Sequence, residues 1–226
     1  AGFSIPASAC SPVTLPVTNS ATGGTIYFYT VTASVTGFSA TIDSSLSKSN
    51  PKILFPVNNS GSNIVYTIVQ KVFNATGCFD TTSRTILIFP RPNARISSVD
   101  SICAAGVVNI SFNGVTPPSI STYNWSITAN TTPAATIAAP SSASTFITFP
   151  DQQNGSNQTI TLRQIVTTSD GCKDTISKII TMLPRPLANL TRSDSAICAP
   201  GSVTIANTTT GTGSIYSWTY DSNPTG

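Results

Sequence analysis

The chain has 226 residues, only 8% of them charged, with eleven Lys and Arg against eight Asp, no Glu and no His, for a net charge of +3. The cations are scattered, so no basic cluster follows a phosphate backbone or an anionic bilayer, and no apolar run approaches the roughly 18 residues of a membrane-spanning helix. Nucleic acid and membrane insertion are excluded as partners, and without His or Glu the usual general acids, bases and metal ligands are missing, so the expectation is a non-enzyme with no cofactor and no metal site. The aspartates stand singly beside turns, where Asp commonly bonds its own backbone, and no Asp-x-Asp-Gly run suggests calcium.

Thr, Ser, Val, Ile, Asn, Gly and Pro dominate, the composition of short strands joined by turns, and the predicted class is all-β. The chain opens on Ala1-Gly2-Phe3-Ser4, which has neither a basic start nor a cleavage-site pattern, so any export signal is expected outside this stretch. Phe55-Pro56, Gly61-Ser62-Asn63, Gly77-Cys78 and Pro90-Arg91-Pro92 each return 94 residues later, as Phe149-Pro150, Gly155-Ser156-Asn157, Gly171-Cys172 and Pro184-Arg185-Pro186. A period of this size marks tandem domains. The units are predicted at 1–92, 93–186 and 187–226, the third truncated after three strands.

The second unit shows the pattern best. Strands are predicted at Ala94–Ser98, Val107–Phe112, Tyr123–Thr128, near Thr136, and at Thr145–Phe149, Thr159–Thr167 and Thr175–Leu183. Seven short strands in one unit suit an immunoglobulin-like β-sandwich. Polar and apolar residues alternate through Thr159–Val166, as they must when one face of a sheet is buried. The turn at Ser169-Asp170-Gly171 should close the last hairpin. The two prolines of each Pro-Arg-Pro fix φ and favour a stiff, extended connection between units. Trp125, in the third strand, and Trp218, at the matching place in the third unit, are expected to be core rings. Asn-x-Ser/Thr triplets, Asn154 among them, carry little weight in a chain so rich in these residues.

Five cysteines without His or Cys-x-x-Cys spacing point to disulfides and an oxidising compartment. One Cys near the start and one near the end of each unit suggest Cys10 with Cys78 and Cys103 with Cys172, leaving Cys198 without a partner. In a standard sandwich, however, Cys103 falls in the turn between the first two strands and Cys172 in the turn between the last two, and those turns sit at opposite ends, about 20 Å apart for six-residue strands, whereas a bridge needs Cα atoms within about 7 Å. The alternative is a bridge between units, Cys10 with Cys172. The intradomain pairing is the primary expectation, because small domains usually carry their own staples.

Three features carry a resemblance: the Cys-Ala-Ala/Pro-Gly-x-Val-x-Ile opening at Cys103–Ile110 and Cys198–Ile205, the Tyr-x-Trp strand, and the Gly-Cys-x-Asp-Thr hairpin at Gly77–Thr81 and Gly171–Thr175. Together they resemble the immunoglobulin-like and PKD-like repeats of large Bacteroidota surface proteins, including gliding-motility-associated adhesins. The Trp-Asp-Phe-Gly-Asp-Gly run of PKD domains is replaced by Trp125-Ser126-Ile127-Thr128 and Trp218-Thr219-Tyr220-Asp221. The resemblance implies type IX secretion, an extracellular, cell-surface location, and O-glycosylation at Thr81, Ser101, Thr175 and Ser195, each of which follows an Asp.

The expected function is a structural or adhesive stalk or filament, with neighbouring repeats as partners. The sequence leaves two other readings open. One is a carbohydrate-binding module of a secreted polysaccharide-active enzyme, binding surface glycans through Tyr27, Tyr29, Tyr123 or Tyr216. The other is self-assembly through strand edges or through the incomplete last unit.

Overall fold

The computed structural model describes residues 1–43, 49–114, 120–153, 155–210 and 215–219; Asn154, Tyr220 and Asp221 lie outside them. Regular structure among these residues is strand alone. The first group comprises β1 (Phe3–Ser4), β2 (Ser8–Cys10), β3 (Val13–Pro16), β4 (Thr18–Asn19), β5 (Ile26–Ala33), β6 (Thr41–Ile42), β7 (Lys52–Phe55), β8 (Ile64–Phe73) and β9 (Phe79–Phe89). The second comprises β10 (Ile96–Ser97), β11 (Ser101–Cys103), β12 (Val107–Phe112), β13 (Ile120–Ala129), β14 (Thr136–Ile137), β15 (Ser144–Thr148), β16 (Gln158–Thr168) and β17 (Lys173–Leu183).

Each group makes its own sandwich. In the first, the sheet β2-β9-β8-β5 faces β3-β7-β6, and β1 pairs with β4; in the second, β11-β17-β16-β13 faces β10-β12-β15-β14. The class is therefore all-β, with immunoglobulin-like sandwiches in tandem. Alternation explains the strands. Along β8, Ile64, Tyr66, Ile68, Gln70 and Val72 are buried between partly or fully exposed residues, and along β16 the buried set is Ile160, Leu162, Gln164, Val166 and Thr168. Burying each of the large apolar ones contributes about 1.5–3 kcal/mol, and it does so in two separate cores. One gathers Phe3, Ile53, Phe55, Ile64, Tyr66, Ile68, Ile86 and Ile88. The other gathers Val108, Ile110, Trp125, Ile147, Phe149, Ile160, Leu162, Ile180 and Met182.

The large ring differs between the two cores. Trp125 is buried and donates its Nε1–H to Ser142 O at 2.8 Å. The first sandwich instead uses Tyr66, edge-on to Phe55 with centroids 4.9 Å apart and its hydroxyl donating to Phe38 O.

One strand departs from expectation. The first strand of each sandwich is broken, and its second half changes sheets: β2 runs parallel to β9, and β11 parallel to β17. Three residues with a single apolar side chain have no readable period, so the sequence placed this segment in a turn.

Beyond residue 186, β18 (Leu190–Arg192) pairs antiparallel with β19 (Ile205–Asn207) and every residue of both is exposed. Trp218, expected in a core, is 53% exposed. The described residues of this segment place no second sheet over it.

Candidate functional site

The chemistry-bearing residues converge where the two sandwiches meet. β2 places Cys10 opposite Phe89, the last residue of β9, and Ser11 N–H donates to Phe89 O at 3.1 Å. Cys78 immediately precedes Phe79, the first residue of the same strand. The eleven residues of β9 at about 3.3 Å each hold the two cysteines roughly 36 Å apart. β11 and β17 repeat the arrangement, with Cys103 opposite Leu183 and Cys172 just before Lys173. The expected intradomain bridges Cys10–Cys78 and Cys103–Cys172 therefore do not form, because each pair occupies opposite ends of one strand. The bridge present is Cys10–Cys172, across the joint, with a Cα–Cα distance of 5.5 Å and a sequence separation of 162. Cys78, Cys103 and Cys198 are exposed thiols.

The hairpin between β16 and β17 carries Cys172 to the joint. Thr168 N–H donates to Cys172 O, Gly171 N–H donates to Thr168 O, and Cys172 N–H donates to Thr168 Oγ1 at 3.1 Å. This tight loop requires a positive φ at Gly171, which is 83°. The β8–β9 hairpin has the same construction. Asn74 N–H donates to Cys78 O, Gly77 N–H to Asn74 O, and Cys78 N–H to Asn74 Oδ1, with Gly77 at φ 86°.

The connecting Pro90-Arg91-Pro92 is held from both sides. Arg91 N–H donates to Asn58 O at 3.4 Å, and Asn58 is fixed in the first sandwich: its N–H donates to Ser11 Oγ, and its side-chain amide to Ser62 O and Ile88 O. The Arg91 guanidinium reaches across to the Asp174 carboxylate, whose other oxygen accepts from Ala94 N–H at 2.8 Å. Burial alone would push the Asp174 carboxyl up. The hydrogen bonds from Ala94, Arg91 and Thr175, with the positive charge of Arg91, outweigh it and hold the group below the ordinary aspartate range. Asp174 is thus a fixed anion that ties the linker to the second sandwich beside the bridge.

The outer end of the first sandwich repeats half of this constellation. The Ala1 ammonium pairs with the Asp80 carboxylate as Ala94 N–H does with Asp174. At the far end of the second sandwich, Arg185 N–H donates to Gln152 O, and its guanidinium pairs with Asp151 at 2.8 Å.

The remaining candidates are spread over the surface. Thr81, Ser101, Thr175 and Ser195 are all exposed. Tyr27 and Tyr29 are half-buried with their hydroxyls donating to Gly24 O and Ser49 O, Tyr123 packs on Phe112, and Tyr216 is about half exposed, so they form no common platform. The sequence reading overlooked an exposed cluster on the first sandwich. Lys71 Nζ lies 3.9 Å from the centre of the Phe79 ring and 4.9 Å from that of Phe73, with Phe28 against Phe73. An open groove of about 550 Å³ is lined by Pro186, Leu190, Asn207, Ile215, Tyr216 and Trp218, among others. Among the described residues no group of three or more Cys and Asp could hold a metal ion, and no helix is long and apolar enough to cross a membrane.

No family model and no curated protein sequence matches the chain. Solved structures with similarity include the D00-D0 domain of intimin, at 12% identity and a TM-score of 0.33, covering 79% of this chain and 98% of that one. Protocadherin gamma B2 extracellular cadherin domains 3–6 align at 11% identity and a TM-score of 0.42, over 92% of this chain and 54% of that one. The N-terminal eight immunoglobulin domains of Down syndrome cell adhesion molecule align at 12% and 0.40, over 93% and 32%. At these scores the likeness transfers no activity, ligand or partner to this chain.

Proposed function

We propose that this chain is an extracellular structural or adhesive segment, a stalk or filament of a large cell-surface protein, with units at 1–92 and 93–186 and the opening of a third at 187–226. The observation that carries the reading is the joint. A disulfide between sandwiches does nothing for the core of either, but it removes their freedom to move apart, and the Arg91–Asp174 pair beside it fixes the linker between them. Stiffness along the chain is a mechanical property, useful where a protein must project or bear load. The bridge also fits an oxidising, extracellular compartment.

Non-enzymatic function and neighbouring repeats as partners follow from the same reading. The resemblance to Bacteroidota surface repeats supports type IX export and O-glycans on Thr81, Ser101, Thr175 and Ser195, whose exposure leaves room for a sugar. The carbohydrate-binding alternative draws no support from its tyrosines, two of which spend their hydroxyls on backbone carbonyls. Small-angle scattering of the oxidised chain tests the stalk: a single extended particle is expected, loosening when Cys10 and Cys172 are both replaced by Ser. Sandwiches that move independently while the bridge is intact would overturn it.

A further inference from the structure

Two extended stretches of the chain meet end to end at the bridge. In the first sandwich, residues 1–10 run beside β9 without slack. Ala1 lies at Asp80, Ser8 at Leu87 and Cys10 at Phe89, so the offset of 79 residues set at the outer end is kept as far as the joint. The segment therefore keeps pace, residue for residue, with an eleven-residue strand that is itself extended. In the second sandwich the strand leaving the bridge is β17. Cys172 precedes it at the joint, Leu183 ends it at the far side, and Pro184-Arg185-Pro186 follows.

The linker Pro90-Arg91-Pro92 crosses the same joint, but tension routed through it loads each sandwich differently. A pull on Ala1 and Phe89 draws β2 and β9 past one another, against a parallel ladder of three residue pairs, Ser8–Cys10 with Leu87–Phe89. A pull on Pro92 and Leu183 does the same to β11 and β17, again over three pairs, Ser101–Cys103 with Thr181–Leu183. The route through the two sulfurs shears neither ladder. It enters at residue 1, leaves at residue 186 and skips everything between Cys10 and Cys172. We propose that this chain bears tension, and that a pull crosses both sandwiches along this one covalent line: residues 1–10, the Cys10–Cys172 bridge and residues 172–186. Because the line is already extended it lengthens little, and the sequence between the two cysteines, which holds most of both cores, is not drawn out while the bridge holds.

This rests on the stapled-stalk reading but fails separately from it: scattering reads the angle between the sandwiches, whereas pulling reads the covalent length between the ends. Full chain, oxidised and with its exposed thiols alkylated, is stretched between its two termini by atomic force microscopy, and peptide mass spectrometry confirms the bridge. Residues 187–226 add the same length to every trace. The oxidised chain should show no sandwich-sized step. Replacing Cys10 and Cys172 together by Ser should add about 580 Å of final length in sandwich-sized steps, from a sequence separation of 162 at about 3.6 Å per residue. Sandwich-sized steps in chain whose bridge is mapped as intact overturn the proposal, and so does a double variant that stays as short as the oxidised chain at the same force.

Discussion

Two glutamines at matching places in β8 and β16 illustrate how much a single side chain depends on its neighbours. Gln70 is fully buried and satisfied: its Oε1 accepts from Gly2 N–H at 2.7 Å, and its Nε2 donates to Asn19 Oδ1 at 2.7 Å and to the Tyr29 hydroxyl at 2.6 Å. Gln164 is equally buried, and neither of its polar atoms has a hydrogen-bond partner among the described residues. Gln70→Leu should therefore destabilise by about 1–3 kcal/mol, since it strands buried partners, whereas Gln164→Leu should be neutral or stabilise by about 1 kcal/mol. Urea unfolding of the two variants separates these outcomes.

Asp174 has a pH signature. Because its folded pKa is lowered, its contribution is present above the ordinary aspartate range and is lost as pH falls below about 4 and through its folded value. Arg91 is half-exposed, so solvent screens its share, and Asp174→Asn should cost about 1–2 kcal/mol at neutral pH. Hydrogen exchange at Ala94, followed as the pH is lowered, should show protection lost in the native chain and already weak in the variant.

At the scale of the element, the two cysteine hairpins are built alike but have different consequences. Alanine at Gly171 or Gly77 forces a Cβ into positive φ, costing about 1–2 kcal/mol in either case. Only Gly171→Ala should also slow formation of the Cys10–Cys172 bridge, because only that hairpin presents a bonded cysteine. Refolding of reduced protein, with the bridge quantified over time, checks this difference. The long strands were legible because period-2 alternation over eight or more residues admits one reading, as in Thr159–Val166. β11 was not legible, because Ser101-Ile102-Cys103 is too short to show a period and takes its conformation from β17 alongside.

For the whole molecule, replacing Cys10 and Cys172 by Ser should leave both sandwiches folded, since the cores they bury share no residue. Circular dichroism should be unchanged while the relative motion of the sandwiches increases. Alternation and turn residues determined by themselves that this chain is all-β, because those signals act within a few residues of one another, and the motifs that return after 94 residues divided it into immunoglobulin-like units. The cysteine pairing was decided only by the tertiary structure. Its partners are 162 residues apart, and the sequence reading favours intradomain bridges, with the cross-joint bridge as its alternative. What settles it is the length of β9 and β17: a strand of eleven residues keeps its two ends apart, while the joint brings Cys10, beside the end of β9, to Cys172, just before β17.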